Sequence, residues 1–302
     1  MRSPAGLMSD SFESRRAQID RALADIAANT GAPAVLEAPI RRALASPGKR
    51  VRGILLTAVG EAFGCRAEKL APAAAAIEMI HASSLILDDL PSMDDALLRR
   101  GSPTLHREFG EDLAILTAVA LLNHAYGLIA KTHADLSPRR WPMQQVVQRV
   151  VDAVGWNGSV AGEAVDLHVD SWREGSKLDF DTLEFIHSRK TGALFVAAAA
   201  VGGMLANIHS APLQRIEVFA KNLGLAFQIT DDVLDVTSNP EVLGKDVGKD
   251  EQRLTFVKLA GVEGARKLSE ELVETSMTAI EPLGASAKGL RALALMVRDR
   301  VR

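Results

Sequence analysis

The chain has 302 residues, a single cysteine and a formal net charge of −3, with 47% apolar residues but only 4% aromatic ones. One cysteine, Cys65, excludes an internal disulfide framework and a cysteine zinc cluster, and the slight negative charge argues against a general nucleic-acid binder. The apolar excess is Ala, Leu and Val without notable period-2 stretches, so the expected fold class is all-α.

Residues 1–10 read as an N-terminal extension, and helical periodicity begins at Ser11 and runs to Ala28. A second helix is predicted at Glu37 to Ala45, a break at Ser46-Pro47-Gly48, and a third helix from Arg50 to Phe63. Ala71 to Leu90 is long and mostly apolar, with Pro72 in its first turn and Pro91 at its end. A loop at Gly101-Ser102-Pro103-Thr104 precedes predicted helices at Asp112 to Ala130, Arg140 to Ala153, Ser159 to Trp172, Asp181 to Leu205 and Pro212 to Val236. A polar loop from Ser238 to Asp250 leads to helices at Gln252 to Ala260, Gly264 to Ile280 and Ala285 to Val301. No short repeat or low-complexity linker divides the chain, so one domain spanning 1–302 is expected: a helix bundle with a central cavity. No apolar run is expected to reach the length of a membrane span and no secretory pattern opens the chain, so the expected location is cytoplasmic.

Two aspartate clusters stand out: Asp88-Asp89-Leu90-Pro91-Ser92-Met93-Asp94-Asp95 and Asp231-Asp232-Val233-Leu234-Asp235. Each follows an apolar stretch, where carboxylates are costly unless they are paired or bind a cation. Asp231 and Asp235 stand one helical turn apart, with Asp232 beside them. A lone Asp pair commonly caps a helix; two clusters on two apolar helices point instead to divalent metal. An all-oxygen donor set with few fixed ligands suits Mg²⁺ that also binds a substrate phosphate. The alternating ligands and central glycine of a calcium loop are absent.

Cations fall where a diphosphate would need them. Gly48-Lys49-Arg50-Val51-Arg52 opens a helix, where backbone N–H groups also favour anions. Arg99-Arg100-Gly101 follows the first acidic cluster, Lys190-Thr191-Gly192 interrupts an apolar helix, and Lys245 follows the second cluster. His81 lies two turns before Asp88 on nearly the same face, and Gln228 one turn before Asp232. His168 and His187 show no partner pattern and read as structural.

These motifs together resemble the trans-isoprenyl diphosphate synthases, most of all the bacterial geranylgeranyl diphosphate synthases of carotenoid pathways. The resemblance runs from Gly48 to the final helix. It rests on Gly48-Lys49-Arg50-Val51-Arg52, Ile80 to Leu87, the D-D-x(4)-D cluster with Arg99 to Thr104, Lys190 to Ala193, Phe227 to Asp235 and Gly244-Lys245-Asp246. It implies the isoprenoid synthase fold and a homodimer. It further implies that Asp88, Asp89, Asp94, Asp231, Asp232 and Asp235 hold about three Mg²⁺ around an allylic diphosphate. Arg99, Lys190 with Thr191, Gln228 and Lys245 would contact that substrate, while Lys49, Arg52, His81 and Arg100 would hold isopentenyl diphosphate. Glu163 departs from the family pattern by standing where Gln is usual; Ala96, Leu97, Leu87, Arg253 and Leu254 depart less consequentially.

Chain length of the product, on the same resemblance, is set near the fifth residue before the first Asp. That residue is Ser83, followed by Ser84; both are small, and the turn below offers Ile80 and Met79 as a deeper floor. The expected product is geranylgeranyl diphosphate, made from isopentenyl diphosphate and a dimethylallyl, geranyl or farnesyl primer. A farnesyl diphosphate synthase, a non-catalytic partner of a synthase and a terpene cyclase are the alternatives. Retention of both clusters weighs against a non-catalytic partner, and the second set of cations weighs against a cyclase.

Overall fold

The computed structural model describes residues 4–169, 180–237 and 255–300, with side chains from residue 12 onward. Its elements are α1 (Pro4–Ala28), α2 (Ala34–Leu44), α3 (Val51–Ala62), α4 (Ala67–Asp88), the strands β1 (Leu98–Arg99) and β2 (Ser102–Pro103), α5 (Leu105–Phe109), α6 (Glu111–Leu136), α7 (Met143–Val154) and α8 (Ser159–Leu167). They continue with α9 (Phe180–His187), a π-turn (Ser188–Gly192), α10 (Ala193–Leu205), α11 (Ser210–Thr237), α12 (Phe256–Ala279), a 3₁₀ segment (Glu281–Ala287) and α13 (Lys288–Asp299).

Why these segments pack as they do follows from side-chain size. In α4, Ala73, Ala74, Ala75 and Ala76 are fully buried, and short side chains let α1, α3 and α6 approach from several sides. A helix enclosed on all sides needs no polar face, which accounts for the weak amphipathicity of α4. The same holds for α10, where Ala198, Ala199, Ala200 and Val201 are fully buried. One core cluster joins α4 to α6 and α10; a second gathers Phe195, Phe219, Leu223 and Leu290 from α10, α11 and α13. α10 contributes to both, so α4 and α11, the two helices that carry the aspartate clusters, are tied through it.

The structure moves several predicted boundaries. α1 begins at Pro4, so much of the segment read as an extension is helical. α4 begins at Ala67, which puts Pro72 inside the helix, where its missing N–H leaves the carbonyl of the exposed residue Glu68 without a helical partner. α4 ends at Asp88 with Asp89 as its C-cap. The loop predicted at Gly101 to Thr104 belongs to a short hairpin in which Leu98 faces Pro103 and Arg99 faces Ser102. The predicted gap between the two helices after residue 252 is a kink within α12 at Gly261, whose φ of 72° lies in the left-handed region.

Two helices, α4 and α6, are long and apolar enough to cross a membrane by length and composition, which corrects the expectation that no run reaches that size. The His, Thr, Asn and Tyr residues of α6 break its apolar run in sequence without lowering its apolar character as a whole. α4 is largely buried inside the protein, whereas only 33% of the apolar window of α6 is buried and Ile115, Leu116 and Val119 face outward.

Candidate active site

The first cluster is built at the C-terminal end of α4. Asp94 N–H donates to the Asp88 carbonyl at 2.9 Å and Ala96 N–H to the Asp89 carbonyl at 3.1 Å, folding the following loop back onto the helix end. Asp94 is thereby brought into the field of Asp88. Burial, followed by the charge of Glu163, pushes the Asp88 carboxyl up to about 7. Asp89 is buried and committed differently: Arg99 Nε donates to its two oxygens at 2.7 and 2.9 Å. Burial raises the Asp89 carboxyl, and the Arg99 hydrogen bonds pull it back.

Arg99 and its neighbour are placed by the hairpin. Arg100 (φ 53°) and Gly101 (φ 75°) form a two-residue turn with both residues left-handed, matching the twist of the strands. The turn sends Arg99 to Asp89 and lets Arg100 Nη1 donate to the Pro47 carbonyl. A Cβ at Gly48 would stand 3.0 Å from Arg100 Nη1 and 3.1 Å from Arg50 Nη1, so the glycine makes room for two guanidinium groups. Burial and then the Arg50 and Arg99 charges lower the Arg100 pKa, with Glu78 and Asp89 opposing them.

These cations border a cleft open to solvent, lined by Arg50, Arg99, Arg100, His81, Glu78 and Asp89 among others. Burial, then Arg52 and Arg100, hold His81 well below the usual imidazole range, so it faces the cleft neutral. Arg52 packs over the Phe195 ring at 4.9 Å instead of lining the cleft; burial lowers its pKa while Glu78 and Asp231 oppose that. Lys49 is exposed and outside the lining. The start of α3 is less open to anions than its position suggests, because Glu78 Oε1 accepts the Gly53 N–H at 2.8 Å.

The second cluster lies near the end of α11. Asp232 is buried and held by Gln228 Nε2 at 3.0 Å and by the Phe256 N–H at 3.1 Å. Burial pushes its carboxyl up to about 6, against both hydrogen bonds. Asp231 accepts from Arg300 Nη2 at 2.6 Å, and Asp235 stands exposed one turn later.

The π-turn relates the two clusters. Lys190 Nζ is 2.7 Å from Glu163 Oε2 and 2.7 Å from Asp166 Oδ2, both on α8, and its charge also acts on Asp88. The adjacent Thr191 donates to Gln228 Oε1 at 2.9 Å, and Gln228 in turn donates to Asp232. A π-turn widens the helix by one residue and re-aims its side chains; here Lys190 goes to the α8 carboxylates and its neighbour Thr191 to Gln228. α8 approaches closely because residue 162 is glycine: a Cβ there would stand 2.4 Å from Lys190 N.

Among the described residues no three acidic or histidine side chains converge as a closed metal cage. The donor set still fits Mg²⁺. Asp88 is half-buried and Asp232 buried, both carboxyls are raised chiefly by desolvation, and Glu163 Oε1 is buried without a hydrogen-bond partner. Mg²⁺ commonly takes one or two carboxylates and completes its shell with water and substrate phosphate.

The predicted chain-length residues lie along α4. Ser83, Met79 and Ile80 are buried, and Ser84, whose Oγ donates to the His81 carbonyl at 3.0 Å, is part-buried one turn before Asp88. The cleft uses other residues of α4, namely Glu78, His81, Ala82, Leu85 and Ile86. Lys245, with Gly244 and Asp246, and Arg253 and Leu254 lie outside the described residues. Sequence reasoning missed Glu78, Asp166 and Arg300. Glu78 had a readable signal as a single charge in the apolar run from Ala71 to Ile80, and Asp166 as the i+3 partner of Glu163; Arg300 had none.

The family model described as polyprenyl synthetase matches residues 33–282. The chain is 42% identical over 276 residues to a geranylgeranyl diphosphate synthase of Cyanophora paradoxa, covering 89% of each. It is 45% identical over 236 residues to geranylgeranyl pyrophosphate synthase 10, mitochondrial, of Arabidopsis thaliana, covering 77% of this chain and 67% of that protein. Among solved structures, an FPP/GFPP synthase from Zymomonas mobilis superposes with a TM-score of 0.84 at 30% identity, over 97% of this chain and 99% of that one. A geranyltransferase from Helicobacter pylori, complexed with magnesium and isoprenyl diphosphate, gives 0.79 at 26% identity over 99% and 98%. With its all-α architecture and these matches, the chain belongs to the polyprenyl synthetase family and is a trans-prenyltransferase of the isoprenoid synthase fold.

Proposed function

We propose that the protein is a Mg²⁺-dependent synthase, one domain throughout, that joins isopentenyl diphosphate to an allylic diphosphate and yields all-trans geranylgeranyl diphosphate. The observation that carries this reading is the π-turn, from which Lys190, held by Glu163 and Asp166, puts its charge within the field of Asp88 while Thr191 joins Gln228 and Asp232. An allylic diphosphate seated there meets both carboxylate clusters and the Lys190 ammonium. Magnesium, when bound, neutralises the diphosphate so that it leaves as an anion; Asp88, Asp89, Asp94, Asp231, Asp232 and Asp235 are the residues to hold it. Two of the three N–H groups of Lys190 are claimed by Glu163 and Asp166, which aims the third at the substrate.

Isopentenyl diphosphate belongs with the basic residues around the cleft. Arg100 and neutral His81 face it directly, with Lys49 and Arg52 completing the set as side chains adjust. Its alkene attacks the allylic carbon as the carbon–oxygen bond breaks, and the released diphosphate accepts the proton lost from the new cation. The apolar Ala82, Leu85 and Ile86 of α4 line the cleft and would help to keep water, which would otherwise trap that cation, from the reacting carbons. No side-chain nucleophile is required.

The Cyanophora and Arabidopsis relatives are named geranylgeranyl synthases, which supports a twenty-carbon product, as do the small Ser83 and Ser84. The outward apolar face of α6, with Ile115, Leu116 and Val119, suits a second copy of the chain, and we place the homodimer there. The working location is cytoplasmic, with carotenoid-type isoprenoids as the pathway served. Asp88→Ala and Asp231→Ala should each lower turnover by at least about a hundredfold, since each removes charge stabilisation of the leaving diphosphate, and a chelator should abolish activity. Wild-type turnover in either variant, or in chelator, would refute the metal reading.

A further inference from the structure

Arg300 lies just past the end of α13, and its guanidinium reaches across to Asp231 on α11. Arg300 Nη2 donates to Asp231 Oδ1 at 2.6 Å, and its Cζ stacks 4.6 Å above the Phe227 ring, one turn earlier on the same helix. The side chain is 15% exposed, and its Nη1 is buried without a hydrogen-bond partner. A partly buried guanidinium with an unsatisfied donor is costly. Its position is understandable as a stand-in for another cation at Asp231. Arg52, stacked over Phe195, is a further cation within the field of Asp231.

We propose that Arg300 is a positioning residue that occupies Asp231 in the metal-free protein, competes there with the divalent cation, and so sets the metal affinity of the second cluster. This rests on the metal reading of that cluster. A divalent ion on Asp231 either takes Oδ1 from the guanidinium or sits on the other oxygen, a carboxylate's width from a like charge; both arrangements oppose the ion pair. Release of Arg300 breaks one charge-assisted hydrogen bond and the ring contact, and it frees a buried donor. The ion pair also keeps the carboxylate oriented while no metal is bound. A residue with only a structural role would behave differently: its removal would loosen the site and weaken the metal.

The test is Mn²⁺ binding, read from the loss of the free-ion EPR signal without substrate. Arg300→Gln should bind Mn²⁺ about tenfold more tightly, the scale of losing one charge-assisted hydrogen bond, and Arg300→Lys should fall between it and wild type. Arg298→Gln, which removes a neighbouring cation paired to Asp299, should bind as wild type does. The gain should vanish in the double variant Arg300→Gln with Asp231→Asn, which should match Asp231→Asn alone. Unchanged or weaker binding in a folded Arg300→Gln, verified by circular dichroism, overturns the inference while leaving the metal reading intact. Wild-type Mn²⁺ affinity in Asp231→Asn overturns both.

Discussion

Gly162→Ala probes the arrangement around Lys190 without touching a charge. The added Cβ would stand 2.4 Å from Lys190 N, 2.9 Å from Lys190 Cα and 2.9 Å from Arg189 Cβ. Ordinary contacts of this kind are ~3.5–4 Å, so α8 and the π-turn must separate by roughly 1 Å. Two backbone atoms are among the three neighbours, so a rotamer change gives no relief. Over-packing of this kind costs about 1–3 kcal/mol, and at roughly 2–4 °C per kcal/mol the melting temperature should fall by about 2–12 °C. The same separation carries Glu163 and Asp166 away from Lys190 Nζ, where both now stand at 2.7 Å. A misplacement of ~1 Å can cost about a hundredfold in rate, so turnover should drop sharply at temperatures where the variant remains folded. Calorimetry and steady-state assays on the same preparation separate the two effects. Wild-type melting temperature together with wild-type turnover would refute both the tight approach of α8 and the role of the clamped Lys190.

Other changes test other parts of the account. Ser83→Phe should shorten the product to fifteen carbons while turnover persists, because Ser83 is buried in α4 below an untouched metal site; product chromatography decides. His187 is held down to about 4 chiefly by burial, with Lys190 adding to this and Asp166 opposing it. Its folded pKa lies below the unfolded value of 6.5, so its contribution is intact above pH 6.5 and is lost as pH falls toward 4. The interval corresponds to ~3 kcal/mol, and in His187→Gln this part of the acid loss should be missing from denaturation curves taken across that range. An identical pH dependence in both proteins would contradict the buried neutral imidazole.

Much of this was legible from the sequence because one physical rule dominates: carboxylates at the ends of apolar helices need a counter-charge. Asp88 and Asp231 announce the site in that way, and helical periodicity locates α4, α6 and α11 to within a few residues. What stayed hidden depends on contacts between segments remote in sequence. Arg300 meets Asp231 across 69 residues, Glu78 reaches the Gly53 N–H across 25, and Arg42 pairs with Glu108 across 66. Glu78 shows itself locally as a lone charge in an apolar run, but none of these partnerships leaves a local pattern. The π-turn was visible only as a polar interruption at Lys190, since its extra residue per turn shifts the helical phase without a breaker such as proline. The hairpin at Arg100-Gly101 was read as a loop because its strands are only two residues long, too short for alternation to register.

The most direct measurement is the product formed when purified protein is given dimethylallyl diphosphate, isopentenyl diphosphate and Mg²⁺, dephosphorylated and resolved by chain length. The account predicts a predominant all-trans twenty-carbon alcohol that disappears in chelator. A predominant fifteen-carbon product would contradict the open floor at Ser83 and Ser84, and the absence of any elongated product would contradict the proposed synthase itself.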